Sequence, residues 1–140
     1  MMPRPDWQAA LYGDDGFYRR YAPSAHFATA AQGRLGGLLA QGLIRYAWAS
    51  DLADSAGVDV VVDFAAGRGE LAIAFRALLP DAVVIAVDIG ERPTDLPTSI
   101  GWLRSPGGAA APTPEELAAT ITTSAEGQQI RRVLVVANEW

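Results

Sequence analysis

The chain has no cysteine and no lysine, and only one histidine in 140 residues. Without cysteine there is no disulfide framework, no thiolate metal site and no cysteine nucleophile, a composition that fits a reducing cytoplasm. The eleven basic residues are all arginine and face sixteen acids, a formal charge of -5. Phosphate backbones are bound by clustered cations, so this balance argues against a nucleic-acid face. The arginines have no spacing that marks a site, and their exclusive use reads as GC-rich coding. Long apolar runs are also missing: none approaches the ~20 residues that cross a bilayer. Met1-Met2-Pro3-Arg4-Pro5-Asp6 has no apolar core behind it and does not read as a signal peptide. No histidine–carboxylate cluster has ligand spacing, so a metal is not indicated. His26, lacking a matched partner, reads as a packing or capping residue rather than a catalyst.

Half of the residues are apolar, enough for one packed core. Residues 1–57 read as a helical segment without a convincing strand. Trp7 to Tyr12 reads as a short helix closed by Gly13-Asp14-Asp15-Gly16, and Phe17 to Thr29 as aromatic and irregular. From Ala30 to Ala53 apolar residues recur at helical period. Glycines 33, 36, 37 and 42 weaken that helix by ~1 kcal/mol each, unless they let it approach another backbone closely.

From residue 58 to 140 the pattern alternates. Strands are predicted over 58–64, 83–87, 100–103 and 132–137, with helices over 70–79 and 113–125. The continuous apolar runs fit strands covered on both faces, and the third, weaker strand fits an edge. Thr113-Pro114-Glu115-Glu116 has the cap, proline and acids of a helix start. The expected fold is α/β, a Rossmann-like, doubly wound, mostly parallel sheet behind an N-terminal helical segment. The fourth strand ends at Asn138-Glu139-Trp140, where such sheets bind their ligands. Its apolar edge would then lie open, so the expectation is the N-terminal part of a longer, truncated protein.

The chemistry concentrates at Asp63-Phe64-Ala65-Ala66-Gly67-Arg68-Gly69-Glu70. Gly67 and Gly69 permit positive φ and close approach of a ligand to the backbone, and the following amides are the free donors of a helix start. Asp63 stands where its carboxylate can organise the turn or reach a cationic group. Asp88, after the second strand, can accept two hydrogen bonds from the hydroxyls of a ribose. Bland roles compete: Asp63 capping turn amides, Asp88 and Glu139 facing solvent, and the tryptophans packing, Trp102 alternatively flanking an adenine. Gly67-Arg68-Gly69-Glu70-Leu71-Ala72 formally matches the dinucleotide fingerprint, so an NAD(P)-binding oxidoreductase domain is one reading. Asp63 and Glu70 would repel a pyrophosphate, however, while both suit the sulfonium and ammonium of S-adenosylmethionine.

Asp63-Phe64-Ala65-Ala66-Gly67-Arg68-Gly69 resembles the first motif of class I S-adenosylmethionine-dependent methyltransferases, acid-x-Gly-x-Gly-x-Gly, with Ala65 in place of a glycine. An alanine held there at positive φ would cost ~1–2 kcal/mol and tighten the methionine pocket. Within that class the chain resembles the N-terminal half of the MidA-like methyltransferases. Phe17-Tyr18 and His26-Phe27-Ala28-Thr29 look like the family's Gly-Tyr-Tyr and Gly-Asp-Phe-x-Thr segments, and Asn138-Glu139-Trp140 like its Asn-Glu-Phe. His26 stands where the family has aspartate. The resemblance implies S-adenosylmethionine bound by Asp63, Ala65, Gly67, Gly69, Asp88 and Thr29, and methyl transfer to a protein acceptor, an arginine in at least one member. Glu139 would orient the acceptor, and Asn138 would hold it or the methionine end of the cofactor. A non-catalytic binding or assembly protein is the remaining alternative.

Overall fold

A computed structural model describes residues 6–21, 29–50, 57–106 and 110–138. In chain order the elements are α1 (Trp7–Tyr12), α2 (Phe17–Arg20), α3 (Gly33–Ser50), β1 (Val60–Phe64), α4 (Glu70–Leu78), β2 (Val83–Asp88), β3 (Ile100–Arg104), α5 (Pro114–Ala125) and β4 (Val133–Ala137). The strands form one four-stranded sheet in the order β3-β2-β1-β4, every neighbouring pair parallel. The chain winds outward from β1 through β2 to β3, then returns to the other side of β1 with β4. The reversal between β1 and β4 is the switch point beside which open α/β sheets place their ligands.

β1 is central, and Val60, Val61 and Val62 have no exposed surface. Their β-branched side chains suit a strand enclosed on both faces. On one face Val61, Val84, Ala86, Ile100 and Val136 pack with Leu71, Ala72 and Phe75 of α4 and with Ala40 and Ile44 of α3. On the other, Val60, Val62, Ile85 and Val87 pack beneath Leu117 and Ile121 of α5. The start of α5 has the capping geometry its sequence predicts. The Glu116 N–H donates to Thr113 Oγ1 at 3.2 Å, and the Thr113 N–H donates to Glu116 Oε2 at 2.8 Å. Asp59 fixes the start of β4, accepting the N–H groups of Arg131 and Arg132 at 2.8 Å each.

One feature differs from the sequence expectation and two add to it. Phe17–Arg20, read as irregular, makes one helical turn entered from Gly16, with the Phe17 and Tyr21 rings 5.6 Å apart. The β2-to-β3 crossover, residues 89–99, contains no helix. Arg92 organises it instead, donating to the carbonyls of Ile100 at 2.7 Å, Leu96 at 3.1 Å and Pro97 at 2.8 Å. Finally, the glycines of α3 do not share one purpose. A Cβ on Gly36 would meet the Ala31 carbonyl oxygen at 2.1 Å, whereas one on Gly37 or Gly42 would meet nothing within 4 Å. At those two positions no neighbouring backbone requires glycine.

Replacing Gly42 with alanine is therefore expected to stabilise the protein by up to ~1 kcal/mol, through helix propensity and a less free unfolded chain. Urea unfolding measures it, and a destabilised variant would contradict the open surroundings of Gly42.

Candidate functional site

The carboxyl end of β1 runs directly into the glycine turn. Ala65 has φ of +56°, Gly67 +59° and Gly69 +85°, so three of five consecutive residues adopt the left-handed region. Ala65 is the non-glycine among them, and its conformation costs ~1–2 kcal/mol. The two glycines serve different ends. A Cβ on Gly67 would touch only Glu70 Oε2, at 3.9 Å, leaving the space over this residue open. A Cβ on Gly69 would lie 2.5 Å from Leu96 Cδ1. Leu96 belongs to the crossover and is buried in the core cluster around α4, so Gly69 exists to admit it. Arg68 reaches the same crossover through Asp95, at 2.8 Å. Both partners are largely exposed, so the pair adds little stability.

Asp88 joins the turn to the crossover. Its Oδ2 accepts the Gly67 N–H at 2.8 Å and its Oδ1 accepts the Gly90 N–H at 2.9 Å. The Asp88 carbonyl accepts from Ser105 N–H at 2.7 Å. Each carboxylate oxygen has a second lone pair, so two acceptor positions remain for a ligand. The Gly69 N–H is also used, by the Ala66 carbonyl at 2.7 Å. Two amides of the turn, those of Gly67 and Gly69, are thus already engaged within the protein.

Asp63 lies beneath this turn and is 1 % exposed. The backbone of Ala72, in the first turn of α4, hydrogen-bonds to its carboxylate, but among the described residues Oδ2 has no partner. Burial, opposed by the Ala72 bond and reinforced by the nearby charges of Asp88 and Glu70, pushes the carboxyl up to about 7. Register places Val136, Asp63, Ala86 and Trp102 in one row across the sheet. Trp102 Nε1 is likewise buried without a partner. Trp102 therefore lies within β3, packed against the core cluster. An orphaned acceptor and an orphaned donor share this row, separated by the small side chain of Ala86.

The remaining sequence-derived residues are partly placed. Asn138 is half-buried and follows Ala137, the register partner of Phe64, so it stands beside the start of the glycine turn. Thr29 precedes α3, where its carbonyl accepts the Gln32 N–H at 3.2 Å. Glu139 and His26 lie outside the described residues. Asp63, Ala65, Gly67, Gly69 and Asp88 converge on one corner. Sequence reasoning missed Leu96, Gly90 and Arg92, whose only signal was the leucine and arginine in an otherwise polar, proline-rich crossover.

The chain matches no family model, no curated protein and no solved structure. Among the described residues no cluster of histidine and carboxylate groups could hold a metal ion, and no helix is long and apolar enough to cross a membrane.

Two kinds of outcome follow from this corner, and the first concerns backbone strain. Ala65→Gly should stabilise the protein by about 0.5–1 kcal/mol, the relieved strain less the added unfolded-state freedom. Gly69→Ala should cost at least ~2 kcal/mol, from its φ and from displacement of Leu96; paired denaturant curves test both. The second outcome concerns pH. Below about pH 4 Asp63 is protonated in both folded and unfolded chains, and its burial carries no ionic cost. Between about 4 and 7 the unfolded chain releases a proton that the folded chain retains, so stability falls as pH rises. Asp63→Asn should flatten that slope and stabilise the protein at pH above about 7, measured by urea unfolding across pH; an unchanged slope would contradict the burial of an ionisable group here.

Proposed function

We propose that this corner binds S-adenosylmethionine and that the fold is of the class I methyltransferase type. The observation that carries the reading is the buried, half-satisfied carboxylate of Asp63 beneath an open glycine turn, with Asp88 and Glu70 close by. A buried carboxylate lacking a partner is costly, and a ligand cation is the group that relieves it. The ammonium of the methionine moiety would meet Asp63, directly or through water. The free lone pairs of Asp88 would accept from the ribose hydroxyls, and the space over Gly67 would admit the ligand backbone. When bound, the cofactor supplies an already activated methyl group, so placement of donor and acceptor provides much of the acceleration. Asn138, beside the turn, is positioned to hold either; Glu139 follows it in sequence and is the candidate to orient a guanidinium acceptor on a protein substrate.

A dinucleotide is the second reading, favoured by the strand order and the formal fingerprint. Its pyrophosphate would need the Gly67 N–H, which Asp88 already holds at 2.8 Å, and would meet three acids. That arrangement favours the sulfonium compound.

Titration calorimetry separates the two: S-adenosylmethionine and S-adenosylhomocysteine are expected to bind and NADH is not. Asp88→Ala should weaken S-adenosylmethionine binding by at least about tenfold, the ~1.4 kcal/mol expected from losing charge-assisted hydrogen bonds. Because a cation lowers the Asp63 pKa, binding near pH 7 should release protons, read from the dependence of heat on buffer ionisation. Preferential binding of NADH would overturn the assignment.

A further inference from the structure

We infer that Trp102 is a positioning residue for Asp63: its indole N–H reaches across Ala86 and donates to Oδ2 of the ionised carboxylate. Asp63 Oδ2 and Trp102 Nε1 are the two buried side-chain polar atoms that lack a partner among the described residues. Buried polar groups are paired in the great majority of cases, so each orphan requires a reason. These two are complementary, because an ionised carboxylate only accepts and an indole nitrogen only donates.

The sheet brings them together. Asp63 pairs with Ala86 of β2, and Ala86 pairs with Trp102 of β3. Val61, Ala86 and Trp102 share the cluster that packs with α4, and Asp63, two residues after Val61, points to the same side. The backbones of Asp63 and Trp102 stand roughly 9–10 Å apart, twice the spacing of neighbouring strands. Ala86 places only a methyl group in the gap, which an indole from one side and a carboxylate from the other can span by a change of rotamer. Neither orphaned atom is open to water, so a bridging water has no room and the contact is direct.

The charged groups around Asp63 supply no competing donor among the described residues. Asp88 at the end of β2 and Glu70 at the start of α4 both oppose its ionisation. Arg68 on the turn is directed at Asp95, and Arg104 on β3 at Glu91. On the same face α3 and β4 contribute the uncharged Ala40, Ile44 and Val136. The donors to the ionised form are therefore neutral, the Ala72 backbone and the indole. Two neutral donors orient the carboxylate without cancelling its charge, and each oxygen keeps a lone pair for a ligand. That Trp102 thereby presents Asp63 to a ligand ammonium rests on the S-adenosylmethionine reading; the contact itself does not.

The test uses the ligand-free 140-residue chain and nitrogen–proton spectra between about pH 4 and 9. Each of the four tryptophans gives one indole signal, and that of Trp102 is the one missing from Trp102→Phe. It is expected to move downfield as pH rises, with the same midpoint as the Asp63 carboxyl carbon, and to stop titrating in Asp63→Asn. Trp102→Phe should raise the Asp63 midpoint by about one pH unit or more, because the ionised form loses a charge-assisted donor. A ring that only filled space would produce neither result. A Trp102 signal constant across the range, one that still titrates in Asp63→Asn, or an Asp63 midpoint unmoved by Trp102→Phe would each overturn the inference. If Trp102→Phe does not fold, the wild-type and Asp63→Asn spectra decide alone, with Trp102 assigned through its bonded nuclei. No ligand takes part, so this contact and the S-adenosylmethionine assignment can fail separately.

Discussion

Holding an ionisable group inside a sheet costs several kcal/mol unless the structure supplies partners, and the corner around Asp63 is built under that constraint. Val60–Val62 bury β1 on both faces, which carries Asp63 out of water with them. α4 answers with one backbone hydrogen bond from Ala72. The helix begins there only because three left-handed residues turn the chain back sharply enough, one of them an alanine. Strain at Ala65 and the unpartnered Oδ2 of Asp63 are thus two costs concentrated within three residues, while α3, α4 and α5 provide ordinary packing elsewhere. Such local departures from the rules the rest of the chain obeys are the usual mark of a functional site.

Electrostatics at this corner have one sign. The charges of Asp88 and Glu70 both act on Asp63, and the Arg68 guanidinium, carried by the turn itself, is directed at Asp95. Asp88 also spends half of its accepting capacity on the amides of Gly67 and Gly90. A carboxylate already braced by backbone donors is preorganised, so a ligand that uses its remaining lone pairs does not bear the cost of ordering it. On the reading proposed above, this is the sense in which the turn suits a cation-bearing nucleoside better than a diphosphate.

Much of this organisation was legible in the sequence because it is local. The apolar runs ending at Asp63 and Asp88, the paired glycines, and the Thr113-Pro114-Glu115-Glu116 helix start declare themselves within a few residues. Positive φ at Ala65 entered the sequence reading only as a condition, and the structure supplies it at +56°. What sequence could not carry is long-range. Asp59 secures Arg131 and Arg132 more than seventy positions away, and Leu96 lies against Gly69 from the far side of β2. Periodicity also failed over Phe17–Arg20, where one helical turn is too short to repeat. For α3 the glycines were ambiguous: Gly36 is required by contact, while Gly37 and Gly42 are not.

The seat of Leu96 on Gly69 has a consequence for how this protein tolerates change. Helix-free connections are ordinarily the segments in which residues are gained or lost most freely. Here the 89–99 connection is anchored at Gly90, Arg92 and Leu96, and the last anchor rests on the turn itself. Adding or removing even one residue between Gly90 and Leu96 would shift that leucine off its seat and open a void beside the helix start. The length of this connection is therefore held as tightly as the composition of the core.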